Sequence, residues 1–460
     1  MKFNSFLVGA ALMSMTLMAC SDDDTVNNGT TPDEGGNGNV TEETVSGDVE
    51  GVWKANSVVK VSGHLVVPEG KSLTIEEGVQ VIFDDNGVGV NHVPIEFTVN
   101  GNLYCEGTAE NPILMSVDEA DRTEDNIFAG LWGGIVASES CEEMLIDHTI
   151  IEYTGGQVIE GSPAATNGVY TAGDDAYPQI TTNNINGKYV ITNSVLRNGW
   201  SDGIYLMGGS AIIANNIFAA NGYDGAEAVN VKAGCTADVA GNIMFSPNTN
   251  GLKLSSSGQS ETRGQAKIQA YNNTIINAGW RRDGEKGGCV YVEKNALANV
   301  VNNLMVNCKF RAMTPNYKKP NDPEEGYDSK SVIDYNFYAS GSQKSDIVFT
   351  EDSGVAYSWE GYNYDHENYY TGVVDANSVI ATENNLEDPM FVNFDVNGVG
   401  LTDYAYNDEW DFHVQAGSPV LNGAYTGSDI TPYFAGGLTV NGQSYQSPAI
   451  QSYFGAYGTK

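Results

Sequence analysis

Short apolar runs recur along the middle of the chain at a nearly regular interval, and this recurrence constrains the fold more than any other feature. One column consists of Ser194-Val195-Leu196, Asn216-Ile217-Phe218, Asn242-Ile243-Met244, Asn273-Thr274-Ile275 and Asn303-Leu304-Met305, with successive starts 22 to 31 positions apart. A second column lies between them: Gly203-Ile204-Tyr205-Leu206, Ala228-Val229-Asn230-Val231, Gly251-Leu252-Lys253-Leu254 and Cys289-Val290-Tyr291-Val292. β-rich runs that repeat once per coil, with insertions confined to the same points, mark a solenoid.

Side chains alternate across a strand. Ile204, Val229, Leu252 and Val290 are therefore expected to point inward, together with Leu206, Val231, Leu254 and Val292. Stacked coils then share a long core that no single coil could bury. Tyr205, Asn230, Lys253 and Tyr291 fall on the outward positions, followed by Met207, Lys232, Ser255 and Glu293. Asn216, Asn242, Asn273 and Asn303 sit where turn meets strand. Amides stacked there can hydrogen-bond along the axis and to turn backbone, which predicts a structural ladder.

The pattern resembles the right-handed parallel β-helix superfamily that includes pectate lyases and many bacterial surface proteins. Further marks are Leu73-Thr74-Ile75-Glu76-Glu77-Gly78-Val79, Val99-Asn100-Gly101-Asn102-Leu103, Gly107-Thr108-Ala109-Glu110-Asn111-Pro112-Ile113 and Trp132-Gly133-Gly134-Ile135. Near the C-terminus stand Asp388-Pro389-Met390-Phe391-Val392 and Asp411-Phe412-His413-Val414-Gln415-Ala416-Gly417-Ser418-Pro419. The resemblance implies an all-β, single-stranded right-handed parallel β-helix with lateral loops over residues 49–425, and a cap at 426–460 packed on the last coils. The superfamily hosts lyases, hydrolases, binding proteins and adhesins, so fold alone does not name an activity.

With 53 glycines, 25 tyrosines and 18 % charged residues in 460, the composition is globular and β-leaning. The net charge of −37 disfavours nucleic acid, whose phosphates require clustered Lys and Arg, and disfavours docking on an anionic membrane surface. It suits a soluble surface protein or one that gathers divalent cations such as calcium.

Residues 1–19 read as a signal peptide: Lys2, then an apolar stretch from Phe6 to Met18 that is too short to span a bilayer. It ends in Leu17-Met18-Ala19-Cys20, which resembles a bacterial lipobox and implies acylation of Cys20 and an outer-membrane anchor. Ser21-Asp22-Asp23-Asp24 resembles the acidic signal that sends Bacteroidetes lipoproteins to the cell exterior. Residues 20–48 form the expected flexible tether, and Trp53 is expected to close the first coil. Residues 154–188, 314–330 and 351–370 break the rhythm and read as lateral loops, the last carrying Tyr357, Trp359, Tyr362, Tyr364, Tyr369 and Tyr370.

Cys105, Cys141, Cys235, Cys289 and Cys308 are odd in number and widely spaced, which suits core filling better than a disulfide framework. The five histidines show no zinc spacing. Superfamily lyases use a Lys or Arg base with calcium held by Asp and Glu. Lys232 or Lys253 beside Asp202, Asp224 and Glu227 would imitate that set. A binding surface needs no such chemistry, because sugar C–H faces pack on aromatic rings while polar groups meet the edges. Trp200, Tyr205, Tyr223, Asn230, Trp280 and Tyr291 lie on or beside the repeating columns. A glycan-binding, non-catalytic surface lipoprotein ranks first, a calcium-dependent polysaccharide lyase second, and an adhesive or scaffolding β-helix third.

Overall fold

In the computed structural model, which describes residues 42–284, 286–310, 321–322, 324, 326–345, 357–362 and 375–460, the chain is a parallel β-helix of three stacked strand faces. The first face holds ten strands, from Gly51–Trp53 to Val332–Ile333. The second runs from the start of Val58–Val67 through Val195–Gly199, Ile217–Asn221 and Ile243–Phe245 to Val379–Ile380. The third starts in the latter half of Val58–Val67 and continues through Ile180–Thr182, Ile204–Leu206, Val229–Val231 and Asn250–Ser255 to Gly288–Glu293.

The register on the third face follows the spacing of the apolar runs. Ile204, Val229, Leu252 and Val290 are successive partners, as are Leu206, Val231, Leu254 and Val292. All eight are fully buried in one continuous core. The five cysteines from Cys105 to Cys308 are buried and free.

The corner between the first and second faces carries the ladder. Asn216 Nδ2 donates to Asn242 Oδ1 (3.0 Å), Asn242 to Asn273 (2.9 Å), Asn273 to Asn303 (2.9 Å) and Asn303 to Asn336 (3.0 Å). Each acceptor oxygen also takes the backbone N–H of the Asn one coil before it, and each Nδ2 also reaches a main-chain carbonyl. The residue just before each rung turns the chain in the left-handed region, at Asn215, Gly241, Asn272 and Asn302. Asn and Gly tolerate that conformation best, which explains the paired Asn residues of the sequence.

Three expectations change. The tether was expected to reach Asp48, yet Glu42–Asp48 forms a strand on Val58–Val67, because Val45 and the backbone of that segment extend the sheet one strand further. Ile180–Thr182 was assigned to a loop but is a strand of the third face, partnered by Ile135–Val136 and Ile204–Leu206. Coils were expected to run to residue 425 with a cap at 426–460 packed on the last of them, but the last coil strand described is Val379–Ile380 and the chain from Phe391 onward is a return wrap. Phe391, Phe394, Val396, Phe412 and Val414 cover the outer rows of the second face at Phe245, Ile276 and Val306. The two C-terminal marks meet there as an antiparallel pair, Phe391 with Val414 and Asn393 with Asp411.

The chain then runs back along the first face, where Leu438 and Val440 pack on Tyr104, Leu145, Val190 and Ile212. Buried Asp238 accepts the N–H groups of Tyr433 (3.0 Å) and Phe434 (2.8 Å) and the Ser447 hydroxyl (2.6 Å). Apolar outer rows on two faces are thereby removed from water by the chain's own C-terminal part.

Candidate cleft on the third face

Outward positions of the third face place Thr181, Tyr205, Asn230, Lys253 and Tyr291 in one row of directly partnered residues. The row is not an open aromatic platform. Lys232 Nζ lies 5.2 Å from the centroid of the Tyr205 ring, and Lys253 Nζ lies 5.7 Å from that of Tyr291. Each lysine covers a ring face that a sugar would need. Lys253 also lies 3.6 Å from Glu293. Burial pushes the Tyr205 phenol well up and that of Tyr291 up to about 12.

Next to the row, Asp202 and Glu227 occupy matching turns one coil apart, and both are nearly buried. Asp202 Oδ1 accepts the Glu227 backbone N–H at 2.7 Å. Asn230 Nδ2 donates to Glu227 Oε2 (3.1 Å), and Asn250 Nδ2 to Glu227 Oε1 (3.1 Å). Burial, and then the neighbouring Glu227 charge, hold the Asp202 carboxyl well above the usual range. Lys232 is held below its usual value by burial and by Lys253, against the pull of Asp202 and Glu227.

The expected calcium ligands converge only in part: Asp202 lies beside Glu227, while Asp224 is held in an exposed ion pair with Arg282, and among the described residues no three carboxylate, His or Cys side chains could hold an ion together. Trp280 also leaves the site. Its ring is fully buried and its Nε1 donates to the Asn307 carbonyl, so it presents nothing to a ligand.

What the geometry does assemble is a cleft of about 360 Å³ between the lateral loop and two turns of the third face. Trp200, Asp202, Tyr205 and Asp224 line one wall and floor, and Tyr170, Asp174 and Asp175 line the other. The Trp200 and Tyr223 rings stack at 4.5 Å between centroids, and Tyr223 is 55 % exposed. Tyr170 meets Tyr205 edge-on at 6.4 Å and shares a 2.7 Å hydrogen bond with Thr181.

The lateral loop is held by a buried carboxylate. Glu96 accepts the Tyr177 hydroxyl (2.7 Å), the Ala164 N–H (2.8 Å) and the Thr98 hydroxyl. Val158, Ala164 and Tyr177 then bury Val136 of the third face. Tyr170, Asp174 and Asp175 escaped the sequence reading, because a polar, Gly-rich insertion shows no period from which to place its side chains.

The aromatic loop expected to overhang the row does not reach it in the part described. Tyr357 and Trp359 stack on each other, and Ser358 joins Ser340 at 2.8 Å. Tyr364, Tyr369 and Tyr370 lie outside the described residues, as do the signal peptide and Cys20.

A family model described as a pectate-lyase-like β-helix domain matches residues 44–142. The matched part spans the first coils, and the same stacking continues without interruption into the third-face row. The chain thus has a pectate-lyase-like parallel β-helix fold. Comparison with curated proteins and with solved structures gave no match.

Proposed function

We propose that the protein is a lipid-anchored glycan-binding β-helix of the cell surface, and that the cleft beside Trp200 is its binding site. The observation that carries this reading is the pairing of an aromatic stack, half-buried Trp200 in the lining against exposed Tyr223 beside it, with polar cleft groups at Asp174, Asp175, Asp202 and Tyr205. Stacked rings offer a sugar its apolar contact, and the carboxylates accept its hydroxyls. The lipobox at Leu17-Met18-Ala19-Cys20 and the acidic run after it support an anchor at the outer face of the outer membrane.

Lyase chemistry is the second reading, favoured by one observation: burial keeps the Lys232 ammonium easier to deprotonate than usual, 5.2 Å from the centre of the Tyr205 ring. Incubating the protein with a panel of acidic and neutral polysaccharides separates the two. Glycan binding predicts depletion of polymer onto immobilised protein with no new ultraviolet absorbance from an unsaturated product. Steady growth of that absorbance, lost in Lys232→Ala, would favour the lyase. No depletion of any polymer would end the glycan reading.

A further inference from the structure

We infer that the cleft takes the end of a saccharide chain and not its interior, an inference that rests on the glycan-binding reading above and names the part of the polymer recognised. A site that holds the interior of a polymer must let the chain leave in two directions. On one side of this cleft the lateral loop lies across the third face. Thr98, Val136 and Thr181, which precede Tyr205 in the outward row, are at most 2 % exposed. Val158, Ala164 and Tyr177 pack on Val136, and Tyr170 reaches on to bond Thr181 and meet Tyr205 edge-on.

In the other directions, each ring beyond the cleft is covered by one of the protein's own cations. Lys232 lies over Tyr205 and Lys253 over Tyr291, so a chain passing along the row finds those faces taken. Past Tyr223 stand Phe128 and Tyr404, and the Arg281 guanidinium lies 4.9 Å and 5.8 Å from their centroids. Arg281 also donates to the carbonyls of Gly222 (2.7 Å) and Ser246 (2.6 Å), and Arg282 pairs with Asp224, which lays this segment against the turn at 222–225. Buried Lys309 fixes the segment, its Nζ donating to the carbonyls of Arg282 (2.6 Å) and Gly284 (2.7 Å). What stays uncovered is the single Trp200–Tyr223 stack beside a cleft of about 360 Å³, near the lower end for small-ligand sites and room for about one or two sugar rings. A chain end carries a hydroxyl that every interior residue has lost to a linkage, and a blind wall with acceptors at Asp174 and Asp175 suits that group.

The test is calorimetric titration of the full-length protein with di-, tri-, tetra- and hexasaccharides prepared from the polysaccharide that it depletes best. Affinity per mole of chain should level off by the trisaccharide, with the hexasaccharide within about threefold of it. At equal mass, the same polymer shortened by partial acid hydrolysis should compete better than the intact one, in proportion to its chain ends. Trp200→Ala should weaken the trisaccharide and the hexasaccharide by the same factor, which places the plateau at this cleft. A larger gain with length would mean that the chain runs on past the cleft, because each further stacked ring adds to affinity. That result, binding of the polymer without its oligosaccharides, or a hexasaccharide indifferent to Trp200→Ala would overturn end recognition here. A gain with length that Trp200→Ala abolishes would leave glycan binding at the cleft standing. Failure of the polymer and of every oligosaccharide to bind would sink this inference together with the reading beneath it.

Discussion

At the scale of single residues, the Asn rungs and the Asp202–Glu227 pair look alike in sequence, as polar residues in turns, but differ in burial and in partners. Each rung is satisfied on both sides of its amide, so Asn242→Leu strands the Asn216 donors and leaves Asn273 Oδ1 without the Asn242 amide. The loss should be about 1–3 kcal/mol, measured from the denaturant midpoint at constant slope. An unchanged midpoint would mean that the amides bond equally well to water.

Asp202 works in the opposite sense. Its folded-state carboxyl is held well above the usual 3.8, so over the range above that value the folded protein keeps a proton that the unfolded chain releases. Stability should therefore fall as pH rises through that range. Asp202→Asn keeps the oxygen that accepts the Glu227 N–H and removes the titration, so its melting temperature should vary less with pH and exceed wild type by a few degrees at neutral pH. Parallel melting profiles for the two proteins would contradict the assignment. The ladder could be read from spacing alone because each Asn recurs at the same point of the coil. The carboxylate pair was only half legible: Asp202 and Glu227 were singled out, but their burial and shared amides depend on which coil stacks on which.

At the scale of elements, the lateral loop and the return wrap decide what is open. Asp238 ties the wrap to the first face through three hydrogen bonds, and hydrogen bonds to a charged group contribute more than neutral ones. Asp238→Ala should cost roughly 3 kcal/mol and open the segment around Leu438 to proteolysis, while the coils beneath remain resistant. Cleavage elsewhere first would show that the wrap is not the weakest element. The lateral loop was legible as a break over 154–188, but the strand inside it and the course of the wrap were not. Ile180–Thr182 is too short and too surrounded by Gly, Thr and Asn to signal a strand, and only its partners at Ile135 and Ile204 make it one. The wrap lacks coil periodicity because it covers coils rather than forming them. Trp280 illustrates the same limit, since closeness in sequence to a column does not say whether a ring faces solvent or core.

At the scale of the whole molecule, spacing and register agree along the third face, and this is why the fold could be inferred from a single chain. The function is less legible, because its site draws on a non-repeating loop and on lysines that reach across to neighbouring rings. Anchoring is tested independently: Cys20→Ala should leave the protein unprocessed or released from membranes, and a variant that fractionates with membranes like wild type would remove the lipid anchor from the account. The central claim is that the Trp200 cleft binds glycan. Its most direct test is calorimetric titration of an oligosaccharide, prepared from the best-depleted polysaccharide, into wild type, Lys253→Ala and the double variant Trp200→Ala, Tyr205→Ala. The account predicts that the double variant weakens binding severalfold or more, that Lys253→Ala changes it little, and that a calcium chelator has no effect. Undiminished binding by a folded double variant would contradict it.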